Sequence, residues 1–218
     1  MPLRKVYDKL LAHYGPQHWW PGETPFEVMV GAVLTQNTAW SNVEKAIANL
    51  VANNALAPEA ILQAPVQQLA EWLRPSGYFN VKAGRLREFC RWYLERGGLA
   101  ALQSLSTPEL RHELLRVKGV GPETADDILL YAFARPVFVI DAYTRRLFSR
   151  LGTIQGDETY EELRAFFERG LGGAAGENVG IFNEYHALIV IHAKEACRKQ
   201  PLCKGCPLRR RCGGPAEE

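Results

Sequence analysis

Four cysteines crowd one short stretch near the C-terminal end: Cys197, Cys203, Cys206 and Cys212, spaced Cys-x5-Cys-x2-Cys-x5-Cys. Thiolates at such density bind soft metals or iron–sulfur clusters. Spacing alone leaves two readings open, a [4Fe-4S] cluster and a four-cysteine zinc site. A disulfide scaffold is disfavoured, because the N-terminal stretch has no apolar core of the kind an export signal needs. A second group is the turn Gly119-Val120-Gly121 inside the string L-x-V-x-G-V-G-x-x-T-A, which runs from Leu115 to Ala125. Its glycines permit positive φ and let a ligand approach the backbone closely. Exposed amides there can hold a phosphate, although a tight helix–helix turn needs no ligand. The third is Asp141, which ends the apolar run Val137-Phe138-Val139-Ile140. Alone, it reads as a helix N-cap. In a site, it is a carboxylate able to stabilise positive charge or orient water. The cysteine stretch is also basic. Lys194, Arg198, Lys199, Lys204, Arg209, Arg210 and Arg211 are opposed only by Glu195. Such a patch is either a solvated face or a phosphate-binding surface.

Helices must position these groups. Phe26, Met29, Val30, Val33 and Leu34 recur at helical steps. Ser41 is a good N-cap for a second helix through Val43, Ile47, Leu50 and Val51. Further helices are expected near 57–63, 66–73, 81–97, 107–115, 122–134, 141–151, 158–170 and 179–196. Thr107-Pro108-Glu109 reads as cap, first-turn proline and acid. The run 137–140 is the strongest β-like segment and is too short to found a sheet. The expected class is all-α with short loops. At 218 residues, 47% hydrophobic and 23% charged, the chain is of ordinary globular composition. The net charge of +2 neither demands nor excludes a nucleic-acid partner. No apolar run reaches the roughly 18–20 residues needed to span a bilayer.

Together these strings resemble the endonuclease III-like helix-hairpin-helix DNA glycosylases over nearly the whole chain. The resemblance includes Leu34-Thr35-Gln36-Asn37-Thr38, Gly77-Tyr78-Phe79-Asn80-Val81-Lys82-Ala83, the Gly-x-Gly hairpin, Ile140-Asp141, His192 and the cysteines. It implies a two-domain all-α fold. Residues 23–135 would form a six-helix domain ending in the hairpin. Residues 1–22 and 136–218 would form a discontinuous cluster domain, with double-stranded DNA across the cleft between them. In the family, the hairpin grips a DNA phosphate, often through a monovalent cation (K+ or Na+) on its carbonyls. Leu115, Val117 and Val120 match those carbonyls, and Gly119 and Gly121 match the turn. Asp141 takes the place of the catalytic carboxylate. The cysteines match the family's [4Fe-4S] loop, with one residue fewer than its usual first gap. Lys199, Arg209 and Arg210 would then contact phosphates.

Two departures narrow the reading. Bifunctional members carry a lysine four residues after the first hairpin glycine, and its amine forms a Schiff base with the sugar. Here that residue is Glu123, which implies little or no lyase activity. The adenine-excising branch carries a general-acid glutamate where this chain has Ala32. A base that is already cationic, such as an N3- or N7-alkylated purine, needs less protonation and favours aromatic faces. Trp19, Trp20 and Trp40 offer such faces, the alternative being core packing. The Trp-Trp-Pro string, the Gln36 and Tyr78 loops and an aromatic two residues after the aspartate resemble the 3-methyladenine glycosylase branch. The implied reaction is hydrolysis of a flipped alkylated purine to an abasic site. Gln36 would fill the vacated space, and Tyr78 would wedge the other strand or merely pack its turn. The alternatives are an oxidised-pyrimidine glycosylase and lyase, a thymine or uracil mismatch glycosylase, and a non-catalytic DNA-binding protein. A monomer is expected, since the binding needs no two-fold symmetry. A cytoplasmic, nucleoid-associated location is expected by elimination.

Overall fold

The computed structural model describes residues 1–19, 22–172 and 177–214. The α-helices run in the order α1 (Leu3–Tyr14), α2 (Pro25–Leu34), α3 (Trp40–Ala52), α4 (Pro58–Gln63), α5 (Val66–Leu73), α6 (Phe79–Glu95), α7 (Gly98–Gln103), α8 (Thr107–Leu115), α9 (Pro122–Asp127), α10 (Ala142–Arg150), α11 (Tyr160–Gly170) and α12 (Glu177–Glu195). No strand occurs among the described residues, so the expected all-α class holds. No helix among them is long and apolar enough to cross a membrane.

The chain divides into two units, a central one of Trp20–Arg135 and a terminal one of Met1–Trp19 with Pro136–Glu218. In the central unit, α6 packs against α4 and α5, and α2 packs against α3, α6 and the segment after α9. Its core includes Met29, Leu34, Leu50, Leu86 and Phe89. In the terminal unit, α12 packs on α1 and α10. An aromatic cluster fills its core: Phe138 stacks on Phe167 at 4.6 Å, and Phe148 meets Phe167 edge-on at 4.7 Å. The Tyr185 hydroxyl donates to the Leu3 carbonyl at 2.8 Å and ties α12 to α1.

Local signals shift in several places. Helix α3 starts at Trp40 with Ala39 at its N-cap, so Ser41 lies inside the first turn. Ser106, not Thr107, caps α8, because Ser106 and Glu109 form a reciprocal capping box. The helix expected over 122–134 stays α-helical only to Asp127. Residues 128–132 then widen into a π-helical turn. Helix α7, absent from the sequence expectation, opens with two positive-φ glycines, Gly97 and Gly98. The run Val137–Ile140 is buried and extended without a strand partner. Its amides bond instead to side chains, Phe138 N–H to Glu168 at 3.1 Å and Ile140 N–H to the Tyr160 hydroxyl at 3.4 Å.

Candidate active site

The hairpin joins α8 to α9. Val117 and Val120 are buried, and the Val120 N–H donates to the Val117 carbonyl at 3.0 Å. What the turn presents outward is therefore backbone. Gly119 has φ +94°, a conformation side chains rarely adopt, and an added Cβ would lie 2.6 Å from Arg85 Cγ. Gly121 has open space where its Cβ would be. Lys118 and Glu123 are both exposed. Beneath the turn, the Arg111 guanidinium grips the fully buried Asp126 carboxylate with two bonds, 2.6 and 3.1 Å, locking α8 to α9.

Gln36 is docked onto this hairpin. Its amide nitrogen donates to the Gly119 carbonyl at 2.9 Å and to Thr124 Oγ1 at 3.1 Å, and its oxygen accepts from Arg85. To occupy a vacated base position, Gln36 must exchange these bonds. Tyr78 is different. It sits in the left-handed region at φ 46°, caps α6 and is 71% exposed. Between the two loops lies a residue of the Gly77–Ala83 string to which no role is assigned above. Lys82 is 2% exposed, and its ammonium donates to the Leu34 carbonyl at 2.8 Å and the Ser76 carbonyl at 2.5 Å. Those carbonyls end α2 and the 3-10 turn Arg74–Ser76. Cations favour such helix ends. Burial, then the nearby Arg85 charge, lowers the Lys82 pKa to about 8. Lys82 thus ties the base of the Gln36 loop to the base of the Tyr78 loop. Lys82→Met leaves both carbonyls without their donor. It is expected to destabilise the protein by about 1–3 kcal/mol in urea unfolding. Trp40, at the start of α3, is half-buried against α2. A Cβ on Gly31 would stand 2.9 Å from its ring.

In the terminal unit, Asp141 caps α10, its Oδ1 accepting the Thr144 N–H at 2.6 Å. Its Oδ2 lies 3.5 Å from His186 Nε2, and the two side chains are 13% and 6% exposed. Burial alone would raise the Asp141 pKa. The His186 ring and the Thr144 N–H outweigh burial and hold it below the ordinary carboxylate value. The cap and the functional reading of Asp141 are therefore compatible. Trp19 stacks on the His186 ring, with ring centroids 5.8 Å apart and planes 23° apart. The Trp20 expectation lies outside the described residues.

His186 is the residue the sequence reading missed. A lone histidine on a mostly apolar helix carries no motif. Glu184 accepts the backbone N–H of Gln17 at 2.5 Å and of His18 at 3.2 Å, pinning the segment that carries Trp19.

The four cysteines line one cavity of about 250 Å³ together with His192 and Arg150. Arg150 donates to Cys197 Sγ at 3.2 Å and to the carbonyls of Arg198 and Lys199 at 2.6 and 2.9 Å, bracing the loop. The Tyr14 hydroxyl meets His192 Nδ1 at 2.9 Å. Burial, then the His13 charge, lowers the His192 pKa to about 4. Among the described residues, no three His, Cys, Asp or Glu side chains are grouped so as to hold a metal ion. Lys199, Arg209 and Arg210 are exposed, the two arginines on a 3-10 turn.

Residues 30–172 match the family described as HhH-GPD superfamily base excision DNA repair protein. The chain is 48% identical to the Methanocaldococcus jannaschii protein named "Putative DNA repair glycosylase MJ1434", over 96% of this chain and 95% of that one. It is 30% identical to endonuclease III of Thermotoga maritima, over 86% of this chain and 82% of that one. It superposes on the crystal structure of H. pylori 3-methyladenine DNA glycosylase bound to 1,N6-ethenoadenine with a TM-score of 0.76. That match has 32% identity and covers 89% of this chain and 98% of the other. On these matches, and on an all-helical fold carrying the hairpin and the aspartate-capped helix, the chain belongs to the HhH-GPD superfamily of base excision DNA repair proteins.

Proposed function

We propose that this protein is a monofunctional DNA glycosylase that hydrolyses the N-glycosidic bond of an alkylated purine of the 3-methyladenine type, leaving an abasic site. The observation that carries this reading is the Asp141 carboxylate, buried and held in its ionised form beside the Trp19–His186 stack. Double-stranded DNA is the partner. Flipping the nucleotide out of the duplex costs a few kcal/mol, and less for a weakly paired base. Trp19 stacks on the extruded base, where an aromatic face rewards positive charge by roughly 0.5–2 kcal/mol. As the glycosidic bond breaks, its electron pair leaves with the base. Positive charge then spreads over C1′ and the ring oxygen. The Asp141 carboxylate stabilises that charge and orients water for attack on C1′. A cationic base departs as a neutral one, so no strong general acid is required. The relative from H. pylori, named a 3-methyladenine DNA glycosylase and solved bound to 1,N6-ethenoadenine, supports the substrate class.

Glu123 supports the monofunctional reading, because a carboxylate cannot form an imine. On the DNA-binding side, the Gly119–Gly121 backbone takes a phosphate. A K+ or Na+ ion on the carbonyls of Leu115, Val117 and Val120 would assist it. Gln36 and Tyr78 enter the duplex, and Lys199, Arg209 and Arg210 contact its phosphates. Cys197, Cys203, Cys206 and Cys212 would hold a [4Fe-4S] cluster. A four-cysteine zinc site needs all its sulfurs about 2.3 Å from one ion. The four cysteines line one shared cavity, which either group could fill, and the cluster reading rests on the resemblance carried by the cysteine spacing. The cluster would fold the loop that displays the basic residues.

The test uses purified protein with methylated duplex DNA and with duplexes containing thymine glycol, uracil or G·T. Release of 3-methyladenine, no nicking and no borohydride-trapped DNA adduct are expected. A trapped adduct would refute the monofunctional reading. Release of an oxidised pyrimidine or mismatched base instead would refute the substrate class.

A further inference from the structure

His186 touches both halves of the proposed chemistry. One face of its ring lies under Trp19, and its Nε2 edge lies 3.5 Å from Asp141 Oδ2. The other carboxylate oxygen is already taken by the Thr144 N–H. Rotation of the carboxylate about its own axis is therefore opposed at one oxygen by the helix cap and at the other by the imidazole. The Trp19 side of the contact is equally constrained. Glu184 binds the two backbone N–H groups just ahead of it. His18 takes the left-handed φ of 49° there, a conformation that must be held by its surroundings. The Trp19 ring is thus delivered onto His186 by a fixed backbone rather than by a free loop.

We propose that His186 is a positioning residue that couples base selection to bond hydrolysis: its ring face braces Trp19, while its Nε2–H holds the second oxygen of Asp141. This rests on the reading that Trp19 stacks on the extruded base and that Asp141 faces the sugar. It adds that one side chain, in contact with Trp19 and with Asp141, sets the geometry of both. Its two contacts are chemically different, so they can be removed one at a time. Phenylalanine keeps an aromatic face for Trp19 and loses the nitrogen. Glutamine keeps a donor at comparable reach and loses the aromatic face.

The experiment measures single-turnover base release against enzyme concentration for wild type, His186→Phe and His186→Gln, with thermal melts of each. His186→Phe is expected to lower the saturating rate by about 10–100-fold, as loss of a polar contact that orients a charged group does, with little change in half-saturating concentration. His186→Gln is expected to keep the rate and to raise the half-saturating concentration by about 2–10-fold, as loss of an aromatic contact does. Should the phenylalanine variant fail to fold, the glutamine variant decides alone: a rate that falls with binding unchanged overturns the proposal. Equal losses of rate and affinity in two folded variants, or no loss in either, also overturn it.

Wild type is assayed first on methylated duplex. If it releases uracil, thymine glycol or mismatched thymine but no methylated purine, the substrate reading fails. The variants are then run on the released base, where the same split is expected, since the argument uses Trp19 and Asp141 and not the identity of the base. If wild type releases no base at all, both fall.

Discussion

Replacing Asp141 with asparagine is expected to lower single-turnover base release by about 10²–10⁴-fold, the range typical for a positioned catalytic side chain. The substitution is nearly isosteric, and an asparagine oxygen still accepts the Thr144 N–H, so the α10 cap persists. Binding to duplex DNA is expected to stay close to wild type. What is lost is the charge. The wild-type carboxylate is buried, yet the His186 ring and the Thr144 N–H keep its pKa below the ordinary 3.8. An acid whose folded pKa is depressed stabilises the fold above its unfolded pKa. It loses that contribution as pH falls through the folded value. The melting-temperature advantage of wild type over Asp141→Asn, measured at neutral pH, should therefore shrink once pH drops below about 4. Base release undiminished in the variant would remove Asp141 from the mechanism.

Arg111→Ala is expected to destabilise the protein by about 3–5 kcal/mol, the cost of removing one partner of a buried ion pair. Asp126 has no exposed side-chain surface, and Arg111 is its bidentate partner, itself only 14% exposed. This pair joins the two helices that flank the Gly119–Gly121 turn, so its loss is expected to act on the hairpin proposed to bind DNA as well as on stability. Urea unfolding would give the first effect, and the affinity for undamaged duplex DNA the second. Removing both partners with apolar residues, Arg111→Met with Asp126→Leu, should recover much of the stability, because no charge is then left buried. A double variant as unstable as Arg111→Ala would show that packing, not charge, is what the pair supplies.

Much about this protein follows from residues close together in the chain. The helical periods of α2 and α3 and the start signal before α8 rest on interactions spanning a turn or less, and so they can be read from local sequence. The shifts from Ser41 to Ala39 and from Thr107 to Ser106 move a helix start by one or two residues; Ser106 holds its cap with a side-chain bond, whereas Ala39 caps with none. The family is legible for the same reason: the hairpin string and Ile140-Asp141 are contiguous. The π-helical turn after Asp127 is not legible. It depends on how Ile128, Leu129 and Leu130 find room in the central core, where all three are fully buried. Nor are the two positioning side chains. Lys82 meets the Leu34 carbonyl 48 residues away, and Glu184 meets the Gln17 amide 167 residues away. Nothing in the neighbouring sequence marks either lysine or glutamate as different from a surface charge. His186 has the same history, with partners contributed by the N-terminal segment and by the cap of α10. Sequence alone determined the helical class and the family, and it singled out Asp141 as the candidate carboxylate. Tertiary packing alone decided what holds that carboxylate and the Trp19 face in place, because those contacts are made between segments that only the folded core brings together.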